Sequence, residues 1–125
     1  MIYREGCGCC DNDQGLWAFA AFVTNPDQAV AGDGPQNYPY FASWGLHYKG
    51  LFAGRDDDWT SFGNYYNVSS KYIPGDLEVQ FDFAHTFAIR PWLHIAPEIQ
   101  YIIDPGGTGA IPDALVLQLQ TLLIF

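Results

Sequence analysis

At 125 residues, the chain has room for one domain. Fourteen Asp/Glu against five Lys/Arg leave a formal charge of −9, which excludes a basic nucleic-acid-binding face, and 49% hydrophobic residues exclude an acidic disordered chain. Aromatics reach 17%, and no window offers the roughly 20 consecutive apolar residues of a transmembrane helix. That leaves an aromatic-rich β protein, or a β structure that uses lipid as its solvent.

Residues 1–5 (MIYRE) show no apolar signal core and no small-residue cleavage site, so the chain is expected to be mature, cytosolic or a fragment. Cys7, Cys9 and Cys10 follow as CGCC. They lack a fourth ligand at usable spacing, so an incidental loop is expected rather than a metal clip or redox pair.

From residue 15 onward the strand period dominates. Residues 15–24 are apolar on both faces, and 40–51 and 59–68 alternate less cleanly. Residues 77–87 are the clearest run. Leu77, Val79, Phe81, Phe83, His85 and Phe87 occupy one face; Glu78, Gln80, Asp82, Ala84 and Thr86 occupy the other. Residues 93–103 and 115–125 alternate in the same way. Six strands of about ten to twelve residues are predicted, against about five or six residues for soluble strands. Such lengths suit a tilted crossing of a bilayer.

The connections alternate long and short: 25–39 long, 52–58 short, 69–76 longer, 89–91 tight, 104–113 long. A meander with its loops sorted this way predicts an antiparallel transmembrane β-barrel segment. Trp17, Tyr48, Trp59, Phe87, Trp92 and Phe125 fall near the short-turn end, and Tyr40, Tyr66 and Tyr101 near the other, as two headgroup-level girdles would. The rival of another class is a soluble, secreted β-sandwich that binds carbohydrate. It would require polar residues at Phe81, Phe83, Leu117 and Leu119.

The stretch 91–125 resembles the C-terminal part of the carbohydrate-selective porins of the OprB type. The resemblance rests on Pro91-Trp92-Leu93, Pro97, Gln100-Tyr101, Pro105-Gly106-Gly107, Pro112-Asp113-Ala114 and the final Phe125. Residues 50–58 (GLFAGRDDD) are similar to a short turn of that family, and Gly15 to Phe19 resemble the strand before it. The resemblance implies a bacterial outer-membrane channel for small sugars, with no enzyme activity and no cofactor. Because such barrels have about sixteen strands, it also implies that this chain supplies only the C-terminal portion. Residues 1–14 would then hold the end of a preceding strand and its periplasmic turn, 15–125 a six-strand meander. The partners implied are membrane lipid, small sugars and the barrel's remaining strands. Gln118 and Gln120 depart from the family pattern, which places a Gly and an Arg there.

With one face on lipid, the other lines the channel. The expected lining is Ser43, His47, Lys49, Tyr65, Asn67, Glu78, Gln80, Asp82, His94, Glu98, Gln100, Gln118 and Gln120. Amides and carboxylates suit sugar hydroxyls, and Tyr65 a sugar's flat face. A register centred on 89–91 would place Asp82 opposite Glu98; in a wet lumen such a pair is expected to stay ionised rather than to catalyse. Arg55-Asp56-Asp57-Asp58 is expected to be a solvated turn with a local Arg55 pair rather than a calcium site. Gly106-Gly107-Thr108-Gly109 lacks the Lys and helix of a phosphate loop and is expected to be a flexible outer loop.

Overall fold

Ten-residue runs of alternating character cannot hide their apolar half by coiling. They satisfy their backbone only by pairing side by side, which gathers all apolar side chains on one face. A computed structural model describes residues 2–4, 14–24, 40–68 and 77–125. The CGCC cluster and the connections 25–39 and 69–76 lie outside the described residues.

The strands are β1 (Tyr3–Arg4), β2 (Gly15–Thr24), β3 (Tyr40–Lys49), β4 (Trp59–Val68), β5 (Leu77–Arg90), β6 (Leu93–Ile103) and β7 (Ala114–Leu123). They form one antiparallel sheet in chain order, and a 3-10 turn at Pro105–Gly107 precedes β7. Predicted and observed bounds coincide for β2, β4 and β6. β3 stops two residues early, where Gly50 takes φ 76°, a left-handed conformation that glycine adopts without strain. At about 3.3 Å per residue, a ten-residue strand tilted by some 40° spans roughly 25 Å, the height of a barrel's apolar band.

Register fixes the two faces. Ala42, Tyr66 and Val79 align across β3–β5, as do Leu46, Phe62 and Phe83; Phe83 continues to Ile99 and Leu117. Among the described residues no apolar side chain is buried. Phe83 is 47% exposed, Leu119 69% and Leu117 73%. A sandwich would cover these positions with a second sheet or make them polar, so the soluble rival fails. Tyr40, Tyr66 and Tyr101 stand on this face near the long connections, and Tyr48 and Phe87 near the short turns.

Two expectations need correcting. Trp17 and Trp59 do not join the outer girdle. Their parity matches His47, so they stand on the polar face, where their rings meet at 5.2 Å. The β5–β6 turn also sits later than predicted: β5 runs to Arg90, Pro91 and Trp92 form the turn, and the register shifts between Ala88 and Arg90. Asp82 therefore faces Gln100, and Glu98 faces Ala84. Proline's fixed φ suits the first corner of a tight turn, and the bulge absorbs the odd residue.

The β3–β4 turn is a buckle rather than a solvated loop. Two successive tight turns run from Phe52 to Arg55 and from Arg55 to Asp58. They deliver Asp58, 3% exposed, beneath the aromatic rings of the apolar face. Its carboxylate accepts from Arg55 Nε at 2.6 Å and from the Ala88 N–H at 2.9 Å, and lies 3.3 Å from His85 Nε2. His85 Nδ1 is 2.8 Å from Thr60 Oγ1, and the rings of Phe52 and Phe87 pack edge-on against the imidazole. This network explains a histidine on the apolar phase of β5. Deeper along that face Asn64 is also buried; its amide donates to the Gln80 carbonyl at 3.0 Å, while Oδ1 has no partner.

Burial alone would raise the Asp58 pKa. Arg55, the Ala88 N–H and His85 outweigh it and hold the carboxyl below its usual range. A depressed carboxyl stabilises the fold above the ordinary value of 3.8, and that contribution is lost as pH falls through the lower folded-state value. Asp58→Ala strands the Ala88 N–H and is expected to cost about 1–3 kcal/mol. Urea titrations in lipid vesicles should show that loss at neutral pH, with a shallower acid dependence than in the unmodified protein. The face assignment predicts that Leu119→Arg costs about 2–4 kcal/mol in the same assay, while Gln118→Arg, one residue away on the other face, is nearly neutral.

Candidate functional site

The same register that gathers the apolar residues brings all thirteen expected lining residues to the opposite face. Ser43, Tyr65 and Gln80 form one cross-strand row; His47, Ser61, Ala84, Glu98 and Gln118 form another. Asp82 and Gln100 share the row between them, and Asn67 pairs with Glu78. Lys49 and His94 lie toward the short-turn end, and Gln120 faces Ala96.

Neighbouring rows are tied by hydrogen bonds. The Tyr65 hydroxyl donates to Glu78 Oε1 at 3.1 Å and to Gln80 Oε1 at 2.6 Å; Gln80 Nε2 donates to Asp82 Oδ1 at 2.6 Å. Asn67 Nδ2 reaches Glu78 at 3.4 Å. Gln100 and Gln120 donate to the two oxygens of Glu98, at 2.6 and 3.3 Å. The described partners of Glu78, Asp82 and Glu98 are thus amides, a phenol and a backbone N–H, which orient a carboxylate without cancelling its charge.

The short-turn end is built differently. His47 stacks on Trp59 with centroids 4.4 Å apart, and its Nδ1 lies 2.5 Å from Ser61 Oγ. Lys49 Nζ sits 5.6 Å above the Trp59 ring and 3.7 Å from Asp57. Lys49, Asp57 and Trp59, with Arg90 and His94, border an open cavity of about 500 Å³.

The outer connection 104–113 is held down, contrary to the flexible loop expected. Gly106 N–H donates to Glu78 Oε2 at 2.6 Å, and Gly109 N–H to Asp104 Oδ1 at 2.7 Å. Asp113 accepts from the Asp104 N–H at 3.1 Å and from the Tyr101 hydroxyl at 2.8 Å; these two bonds hold its carboxyl below the usual range. A carboxylate already takes the Gly106 N–H that a phosphate loop would offer its ligand. Glu78 is therefore as much an anchor for this connection as a wall group.

Asp82 and Glu98 are diagonal rather than directly opposed, and each is held by amide partners. The Arg55 pair expected in the acidic turn is present, with Asp58, and Asp57 pairs with Lys49. Among the described residues no cluster of three or more metal-ligating side chains forms.

Besides Trp17 and Trp59, sequence reasoning overlooked Phe41, Ser61 and Phe19 on this face. Phe19 follows the parity of Trp17 and is 61% exposed there, with its ring in the space a Gly45 side chain would fill. The signal for Phe19 was the doubly apolar run 15–24: a strand that meets lipid on one side and still carries large rings on the other.

The family model described as the carbohydrate-selective porin, OprB family, matches residues 1–125. Among solved structures the chain is similar to Pseudomonas putida OprB in its high-pH structure, with a TM-score of 0.72 and 23% identity, over 88% of this chain and 30% of that one. No curated protein matches the sequence. The long paired strands, the exposed apolar face and the opposed polar face therefore have a family to answer to: the chain belongs to the carbohydrate-selective OprB porins, β-barrel channel proteins of the bacterial outer membrane and not enzymes.

Proposed function

We propose that this chain forms the C-terminal part of a porin wall through which small neutral sugars diffuse passively, with further strands of the same or another chain completing the barrel. The observation that carries this reading is the register, which puts thirteen polar and titratable side chains on one face of a sheet whose other face is apolar and exposed. The six long strands described, of ten to fourteen residues, and a two-residue one cannot close, since the smallest usual barrels need about eight strands. Among the described residues, β7 pairs with β6 alone, and an unpaired edge in lipid costs several kcal/mol per backbone group. A covering set of strands follows from that cost, and this chain spans 30% of the length of the solved relative.

Selectivity follows from the wall's chemistry. Among the thirteen lining residues, Glu78, Asp82 and Glu98 are acidic and Lys49 is the cation. Sugar hydroxyls exchange hydrogen bonds with such groups at little desolvation cost, whereas anions meet an adverse field.

In proteoliposomes carrying the protein isolated from outer membranes, isosmotic glucose should cause rapid swelling, and gluconate should enter more slowly. Glu98→Gln should shift the zero-current potential in a salt gradient toward weaker cation preference. Liposomes that fail to swell in any sugar would sink the reading.

A further inference from the structure

The polar face is not uniform. In one cross-strand row stand Phe19, Gly45, Gly63, Asp82 and Gln100 in succession; the adjacent row holds Trp17, His47, Ser61, Ala84 and Glu98. Two neighbouring glycines leave the middle of the first row without side chains. Phe19 leans over Gly45, where any Cβ would collide with its ring. Gly63 remains bare, and a Cβ built there meets only the Trp44 carbonyl oxygen, at 3.7 Å. The result is a trough of about 250 Å³ bordered by Phe19, His47, Ser61, Gly63, Asp82 and Glu98.

Resting on the channel reading above, we propose that this trough is a subsite for a single pyranose ring, with Phe19 as its stacking platform. Gly45 and Asp82 lie two strand spacings apart, about 10 Å, enough for one sugar ring between an aromatic face and a carboxylate. The chemistry is divided as a pyranose requires. Phe19 offers an exposed apolar surface, in the same row as Asp82, to the ring's C–H groups. Asp82 and Glu98, steadied by Gln80, Gln100 and Gln120, accept from hydroxyls, and Ser61 and His47 meet the ring edge nearer the short-turn end. Tyr65 is less suited to this task than its composition suggests, because its hydroxyl is engaged by Glu78 and Gln80 and its ring packs on Phe41 at 6.0 Å. The subsite favours a cyclic sugar over an acyclic polyol of the same carbon number, which has no flat face to stack.

The test uses the protein isolated from outer membranes, inserted in planar bilayers, with glucose and sorbitol as probes read by saturation of sugar-dependent current noise. Phe19→Ala is expected to raise the half-saturating glucose concentration about threefold to tenfold, the range one aromatic contact supplies. Phe19→Trp should restore it, and sorbitol should respond equally in all three proteins. Gly63→Val fills the trough without a clash and should abolish glucose saturation in an open channel, which gives a second readout should Phe19→Ala fail to insert. Open channels in which Gly63→Val, and any inserted Phe19→Ala, keep the unmodified protein's glucose saturation would overturn the subsite and leave the channel standing. An unmodified protein that conducts no ions would overturn the channel reading and the subsite together.

Discussion

A peptide group left unpaired in hydrocarbon costs several kcal/mol, and this one penalty organises the whole chain. It requires each strand to pair along its length, so β2 to β6 are matched over nearly every residue. Pairing in turn freezes side-chain parity: a register set anywhere in a strand decides which face every residue of that strand meets. No buried apolar core forms among the described residues, because the solvent on one side is itself apolar. The hydrophobic effect therefore acts here by sorting faces rather than by closing an interior.

Where the polar phase was broken, a local device compensates. His85 and Asn64 lie on the lipid-facing parity, and both are buried. His85 is supported by Asp58, Thr60 and two aromatic edges near the short turns, where headgroups and water are close. Asn64 has only the Gln80 carbonyl and keeps an unpartnered oxygen, a less complete solution deeper in the sheet. The polar face has its converse exception in Phe19, an exposed ring lodged over a glycine.

Strand existence, the bounds of β2, β4 and β6, and most of the face assignments were legible in the sequence because each depends on period two alone. The runs 15–24, 59–68 and 93–103 needed no knowledge of neighbours, and the shared face of the polar residues followed from parity. Register between strands was not legible to the same degree. The β5–β6 pairing shifted because a bulge near Ala88 and a turn at Pro91–Trp92 depend on how the chain closes, not on alternation. The Asp58 network was hidden for a related reason. Its members Arg55, Asp58, Thr60, His85 and Ala88 meet only once β4 and β5 are side by side. Trp17 and Trp59 were misplaced by reading position along the strand without parity. The trough was invisible because Gly45 and Gly63 belong to different strands and become neighbours only through register.

The two kinds of carboxylate in this sheet show how surroundings decide what a charge does. Asp58 is held by a guanidinium, with an imidazole and a backbone N–H completing its shell, so its charge is compensated within the network and its field stays local. Glu78, Asp82 and Glu98 are held by amides, a phenol and a backbone N–H, which fix their geometry and leave their charge in place. A compensated acid at the membrane-facing turn adds rigidity without drawing ions toward lipid. Among the described residues, the acids of the opposite face have no cationic partner, and in the proposed channel such a row would send its field into the water beside it, opposing anions more than neutral solutes. Lysines or arginines in place of those amides could still donate to the carboxylates but would cancel the field, and at Gln80 they would lose the bond its oxygen accepts from Tyr65. If the sheet forms the proposed sugar channel, it is the choice of amide over cation as partner, more than the number of acids, that would suit its wall to uncharged solutes.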